Sequence, residues 1–490
     1  MAGLSVASVL VPQSLAYAQL AGMPAYRGLY VAALAPLGAV LFASSPYLGT
    51  GPTAITSLLT LGALSAAATP GSSRYVALAA LLTLLVGGIR ILLGMIRGGM
   101  IAYLLSQPVI TGFTTAAAAV IVASQVPGLV DVEPSSGNLL VAAYDALAHP
   151  SNWRVESVLI GVVVAGIILG GRKLHRLFPG ILVAVVAATL YSAAVGYEGQ
   201  TVGDIASGFP PFSLGLPWNS ALSLLVPAFV IAVVGFSEPA AIARYYATLE
   251  RKRWDPNHEL VSQGFANVAA AIGGGFPAGG SFSRTAINRE AGARTRWSGG
   301  ITGLVVLAML PFMGLLSALP IAALAAGIIV AIRELISFKP FQEYRSYARL
   351  QFYVAIVTLV ATLAFAPHVE RGIIVGIGMA VAAHLWRELR LTIPAWVSDG
   401  KTLHLAPKGV LYFASAPALE HAFGELLNAH PESDGLVVHL NGLGRVDLTG
   451  ALALRALLKD AKEAGLDARV EDVPPQARKI IERVIPEMFR

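Results

Sequence analysis

The chain has 490 residues, 56% of them hydrophobic and 13% charged, with no cysteine and a formal net charge of +6. Soluble domains carry about 25% charged residues, so the composition excludes an ordinary water-soluble enzyme, and the lack of cysteine excludes disulfides, thiolate metal sites and cysteine nucleophiles. The positive charge falls in short clusters (Arg172, Lys173 and Arg176; Arg251, Lys252 and Arg253; Arg289, Arg294 and Arg296) and forms no basic, aromatic-interleaved tract, so no nucleic-acid partner is expected.

Apolar runs of about 17 to 25 residues suit helices that cross a bilayer, and they recur from residue 2 to about 388. The first, GLSVASVLVPQSLAYAQLAG, lacks a basic flank and a small-residue cleavage site and reads as a transmembrane helix, not a signal peptide. In chain order the predicted spans are 2–21, 28–45, 52–68, 74–96, 101–125, 153–170 and 177–196. A second set follows at 220–246, 259–275, 281–293, 298–317, 318–333, 350–366 and 370–388. The basic clusters mark cytoplasmic loops. The connections with Asp131, Glu133, Asp145, Glu198 and Asp204 face outward, and both termini then lie in the cytoplasm of a cell whose inner (plasma) membrane holds the protein.

The two sets of seven share landmarks. Pro12 and Gln13 interrupt the first opening span, and Glu238 and Pro239 the second; Gly51 and Pro52 begin one short third span, and Gly280 and Ser281 the other. Pro12 and Pro239 are 227 apart (239 less 12), and Gly51 and Gly280 are 229 apart (280 less 51). Two copies with an odd number of spans enter the membrane from opposite sides, an inverted repeat of the kind found in secondary transporters. The repeats cover about 1–200 and 218–390 of a transport domain at 1–390. From 391 to 490 strand-like runs (GVLYFAS, GLVVHL, DARVED) alternate with amphipathic helices (APALEHAFGELLNAH, LTGALALRALLKDAKEAG), which predicts a small cytoplasmic α/β domain.

The stretch GFPAGGSFSRTAIN, Gly275 to Asn288, is too irregular for a plain span. Unpaired backbone survives at membrane depth only inside protein or beside a wet cavity, so it faces inward. A half-helix beginning near Ser281 presents free amides and a positive dipole end, which attract anions. TGPTAIT repeats the device with a half-helix starting at Thr53 and Ala54. Arg284 adds a full charge where one without function is costly; Ser281 and Ser283 add hydroxyls. Glu238 comes opposite Gln13 beside this cavity, where it either carries a coupling proton or forms a fixed ion pair with Arg284. Tyr17 lies one turn beyond Gln13 on the same face. Arg90 and Arg97 read as snorkelling anchors at a helix end. HxxxH, CxxC, GxSxG and Walker patterns are absent, so neither an enzyme, a metal site nor a cofactor is indicated.

In VPQSLAYAQLAGMP, GLYVAALAPL, GTGPTA, GFSEPAAIAR and GGSFSRTAINREAGARTRWSG, followed by a STAS-like C-terminal domain, the chain resembles the SulP family of anion transporters, the sulfate permease group that includes animal anion exchangers and prestin. The resemblance implies fourteen helices in two inverted repeats, divided into core and gate, usually as a homodimer, with the anion between the third and tenth helices. It carries the ligands onto Gln13, Tyr17, Thr53, Ala54, Ser281, Phe282, Ser283 and Arg284, and the acidic position of bacterial members onto Glu238. VDLTG, Val446 to Gly450, matches the phosphorylated loop of anti-sigma-factor antagonists. Leu448 stands where such proteins often have serine and only Thr449 keeps a hydroxyl for regulation, so a dimerising or regulatory dock is expected in preference to a phosphorylation switch. The family's segment before the first helix is missing, so a truncated N-terminus is expected; Arg27 and Pro46 depart from the family's loops.

The expected function is secondary transport of a small anion (sulfate, bicarbonate or a C4-dicarboxylate such as fumarate), coupled to protons, or alternatively to sodium through unwound carbonyls. The alternatives are an anion channel or uncoupled exchanger, a nucleobase-type permease, and an anion sensor that signals through the C-terminal domain.

Overall fold

The computed structural model describes residues 1–103, 106–174, 178–203, 205, 208–210, 215–389, 391–399 and 401–486. Arg176 and Asp204, read as loop markers, and Arg390, at the expected domain boundary, lie outside these residues. By contact the chain divides into two compact units, Met1–Met379 and Ala380–Arg490.

A helix stands at every predicted span. The first unit begins α1 (Ala2–Leu20), α2 (Ala25–Val40), strand β1 (Gly49–Pro52), α3 (Ala54–Leu64), α4 (Ser73–Met95), α5 (Gln107–Val130), α6 (Leu139–Ala148), α7 (Val155–Leu174) and α8 (Gly180–Val195). It continues with α9 (Ala221–Leu249), α10 (Pro256–Ile272), β2 (Ala278–Ser281), α11 (Phe282–Glu290), α12 (Trp297–Met309), α13 (Ile321–Ile332), α14 (Lys339–Tyr347), α15 (Arg349–Ala364) and the first half of α16 (Val369–Leu389), within which the division falls. Five described helical segments are long and apolar enough to cross a bilayer: Ser73–Met95, Gln107–Val130, Trp218–Leu249, Trp297–Leu316 and Val369–Arg387.

Two helices of the first unit were not foreseen. α6 is too short for the span criterion, and α14, KPFQEYRSY, is polar with only Phe341 buried, so hydropathy passes over both. The fifth span also starts later than expected, at Gln107, because Pro108 lacks an N–H and suits a first helical turn; it ends later too, running through Pro127 to Val130.

Packing separates two helix sets: α1–α4 lie against α9–α12, whereas α5 and α7 lie against α13 and α15. α4 and α10 approach so closely that a Cβ on Gly87 would stand 2.9 Å from the Gly264 carbonyl oxygen, the close approach that small residues allow between membrane helices. The two interruptions meet as a ribbon, with β1 antiparallel to β2 and Gly49 opposite Ser281, Thr50 opposite Gly280, Gly51 opposite Gly279 and Pro52 opposite Ala278. This pairing satisfies backbone groups that could not otherwise leave water.

In the second unit β3 (Ala395–Ser398), β4 (Thr402–Leu405), β6 (Gly435–His439) and β8 (Asp467–Glu471) form one sheet in that order. β3 is antiparallel and the others parallel. β5 (Gly409–Leu411) pairs in parallel with β7 (Leu443–Val446). α17 (Ala416–Ala429), α18 (Leu448–Glu463) and α19 (Pro475–Val484) complete it around Leu403, Leu436, Val438, Leu454 and Leu458.

Candidate functional site

Each half-helix grows directly out of one strand of the ribbon. Thr53 caps α3, its Oγ1 accepting from the Thr56 amide at 3.3 Å, and Ala54 is the first helical residue. Ser281 caps α11 by position but makes no side-chain cap hydrogen bond; its hydroxyl lies 3.2 Å from that of Ser283. Because the strands run antiparallel, the two helix N-termini flank one four-residue ribbon, roughly 10 Å apart by strand rise. Both positive dipole ends therefore act on the same small volume.

Arg284 lies in the first turn of α11 and is 0% exposed. Its Nε donates to the Gly49 carbonyl at 3.4 Å and its Nη1 to Gln13 Oε1 at 3.3 Å, while the buried Nη2 has no partner. A Cβ on Gly49 would come within 2.7 Å of Arg284 Cβ, so a glycine is what lets α11 lie against β1. The same helix also holds β1 through Thr285, whose Oγ1 accepts from the Gly49 amide at 3.0 Å, and the segment before it through Asn288, whose Nδ2 donates to the Tyr47 carbonyl at 2.9 Å.

The structure brings Gln13, Tyr17, Glu238 and Arg284 together. Tyr17 and Glu238 both lie in the electrostatic field of Arg284, and the Glu238 carboxyl faces the Phe282 backbone amide. Among the described residues no carboxylate makes an ion pair with Arg284, so the fixed-pair reading of Glu238 is not what this geometry contains. Gln13 and Tyr17 also line a narrow cavity of about 10 Å³ with Val164, Val185 and Leu324, room for about one water. Phe282 and Ser283 are exposed, Phe282 by 46%, and the Phe282 ring packs near Tyr245 and Tyr246. Thr449, in the second unit, is the exposed second residue of α18, behind Asp447, whose Oδ1 accepts from the Gly450 amide at 2.7 Å.

Arg90 corrects an expectation. It is no surface anchor but 0% exposed, with Nε donating to Ala232, Nη2 to Ile231 and Nη1 to Ala278, at 3.1, 3.2 and 3.0 Å. Its place near a helix end suggested snorkelling, yet α4 is covered there by α9 and α10.

Sequence reasoning also missed a polar row on α10. Glu259 Oε2 accepts from the Ser44 and Ser45 amides at 3.1 and 2.9 Å; Gln263 Nε2 donates to Thr50 Oγ1 at 2.9 Å. Asn267 accepts from the Ala278 amide at 2.9 Å and donates to the Ala278 carbonyl at 3.2 Å. The four-residue spacing of these three in PNHELVSQGFANVAAAI is a visible signal, since residues four apart share a helix face. Beyond the helix ends, the Glu250 carboxylate accepts from the Tyr47 hydroxyl at 2.6 Å and pairs with Lys252 and Arg289. These partners, Tyr47 first, pull its pKa down to about 2.

A sequence model described as the sulfate permease family matches residues 1–358. A probable sulfate transporter of Mycobacterium tuberculosis is 34% identical over 398 residues, 80% of this chain and 70% of that protein. Among solved structures, SLC26A9 matches with a TM-score of 0.89 at 22% identity, over 99% of this chain and 86% of that one. The transmembrane domain of the cyanobacterial bicarbonate transporter BicA matches with a TM-score of 0.66 at 25% identity, over 74% of this chain and 95% of that one.

Proposed function

The chain belongs to the sulfate permease family, and on that footing we propose that it is a multi-pass secondary active transporter of small anions, coupled to protons. The observation that carries this reading is Arg284: a fully buried guanidinium with one donor unpartnered, set between two half-helix N-termini. Two dipole ends and a cation favour negative charge, and the free Nη2 offers it a charge-assisted hydrogen bond.

The fourteen predicted spans cross the bilayer as two inverted repeats. α1–α4 with α9–α12 form the core that carries the site, and α5, α7, α8, α13, α15 and α16 the gate. Alternating access then moves the core past the gate, with Gln13, Tyr17, Thr53, Ala54, Ser281, Phe282, Ser283 and Arg284 around the anion. Glu238 holds the coupling proton. Ionised, it faces the amide and guanidinium that an anion needs; protonated, it gives up that claim, so anion and proton enter together. Sulfate, bicarbonate and C4-dicarboxylates all suit this charge pattern. Residues 391–490 form a cytoplasmic STAS-like domain, with Thr449 at a regulatory dock, in a homodimer of the inner membrane.

The test is uptake of labelled sulfate, bicarbonate and fumarate into proteoliposomes, with and without an inward proton gradient. Saturable, gradient-stimulated uptake that is lost in Arg284→Ala is the expected result. Equal uptake by parent and Arg284→Ala overturns the site, and a Glu238→Gln variant with its full gradient response overturns the coupling role.

A further inference from the structure

Arg90 is, with Arg284, one of two fully buried cations among the described residues of the first unit, and the transport reading makes no use of it. All three of its hydrogen bonds end on main-chain carbonyls, two on α9 and one on Ala278, the first residue of β2. Among the described residues no carboxylate pairs with it. Carbonyl oxygens satisfy a guanidinium's donors but leave its charge whole, and an ion without a counter-ion is costly in a dry interior. A fixed carboxylate partner would offset part of that cost, and none is present among the described residues.

The charge stands directly behind the crossing strands. Ala278, which Arg90 holds, pairs with Pro52, the residue before the α3 cap. A Cβ placed on Gly235 would lie 2.7 Å from Arg90 Nη2 and 3.0 Å from Thr56 Cγ2, so the guanidinium and the first turn of α3 touch one common point. Arg284 thus serves the α11 end of the ribbon and Arg90 the α3 end. Asn267 donates to the same Ala278 carbonyl, so Arg90 is not the sole support of β2.

We propose that Arg90 is a second fixed positive charge of the anion site, acting through space without touching the ligand, and that it favours divalent over monovalent anions. This rests on the anion-transport reading above. Coulomb energy scales with ligand charge: at an effective dielectric constant of about 20, a charge roughly 10 Å away changes affinity about tenfold for a monovalent anion and about a hundredfold for a divalent one. A purely structural Arg90 would instead weaken both anions by the same factor, and lysine would not replace its three-way fork.

The experiment is calorimetric titration of sulfate and bicarbonate into the full-length protein in nanodiscs, for the parent, Arg90→Gln and Arg90→Lys, with thermal unfolding to verify folding. Arg90→Gln is expected to lower the sulfate-to-bicarbonate affinity ratio about tenfold, and Arg90→Lys to preserve it. Should the glutamine variant not fold, Val86→Glu, one turn earlier on α4, neutralises the charge with the Arg90 hydrogen bonds kept, and the ratio must fall likewise. An unchanged ratio in the folded neutral variant overturns the proposal. A parent that binds neither anion overturns the transport reading itself.

Discussion

Arg284 on α11 donates through Nη1 to Oε1 of Gln13 on α1 at 3.3 Å, while the adjacent Nη2 has no acceptor. One arm of the guanidinium is therefore held for the other to be available. Hydrogen bonds to charged groups contribute about 1.5–3 kcal/mol, or roughly tenfold to a hundredfold in affinity. Gln13→Ala is expected to raise the KM for anion uptake at least about tenfold. Arg284→Lys keeps the charge but loses the fork, and its KM should rise as well. Parent-like KM values in both variants would remove this pair from the binding site.

Asn267 is bonded to both polar groups of a single peptide residue, the amide and carbonyl of Ala278. In Asn267→Leu the carbonyl keeps Arg90, but the amide is left buried without an acceptor, at a cost of about 1–3 kcal/mol. The variant is expected to melt earlier in detergent and to transport more slowly, because β2 positions the start of α11. A parent melting temperature would mean that β2 is held without this residue.

How much of this was legible beforehand depends on the length scale of the signal. Most predicted spans contain a helix because a long apolar run is a strong local pattern, and Gly51, Pro52 and Gly280 marked the breaks because glycine and proline punctuate helices wherever they stand. The pairing of Gly49 with Ser281 was not legible: it joins residues far apart in sequence through backbone atoms that carry no residue type. Arg90 was misread for a similar reason, since its acceptors are carbonyls on α9 and β2, invisible in a residue string. The row Glu259, Gln263 and Asn267 could have been found, because three polar residues at four-residue spacing in an apolar helix need partners. In the second unit β3, β4 and β7 have only four residues each, too few for alternation to stand out.

Gly28 fixes the crossing of α1 and α2. A Cβ there would lie 1.8 Å from the Ser14 carbonyl oxygen and 2.5 Å from its carbon, both backbone atoms with no rotamer to yield. Gly28→Ala must push the helices apart next to Gln13 and Tyr17. Overpacking of this kind costs about 1–3 kcal/mol or more. Reduced folded yield and weaker anion binding are expected together, read by size-exclusion chromatography and titration; normal values for both would contradict so close a crossing.

On the sheet of the second unit the Trp396 ring stacks on His404 and His439, with centroids 5.1 and 5.5 Å away. Hydrogen bonds run from Ser398 Oγ to His404 Nε2 at 2.8 Å, from His404 Nδ1 to His439 Nε2 at 3.0 Å, and from His439 Nδ1 to Asp472 at 3.2 Å. Burial pushes the His404 pKa down, and the neighbouring His439 lowers it further. A histidine with a depressed folded pKa binds fewer protons folded than unfolded, so its stabilising effect is complete above the ordinary value near 6.5 and is lost as pH falls through that value toward the folded one. The expected result is that amide exchange of β4 and β6, corrected for intrinsic rates, speeds up between about pH 7.5 and pH 5.5 in the full-length protein. His404→Gln should flatten that dependence. A pH-independent exchange in the parent would show that the proton on this chain is not linked to the sheet's stability.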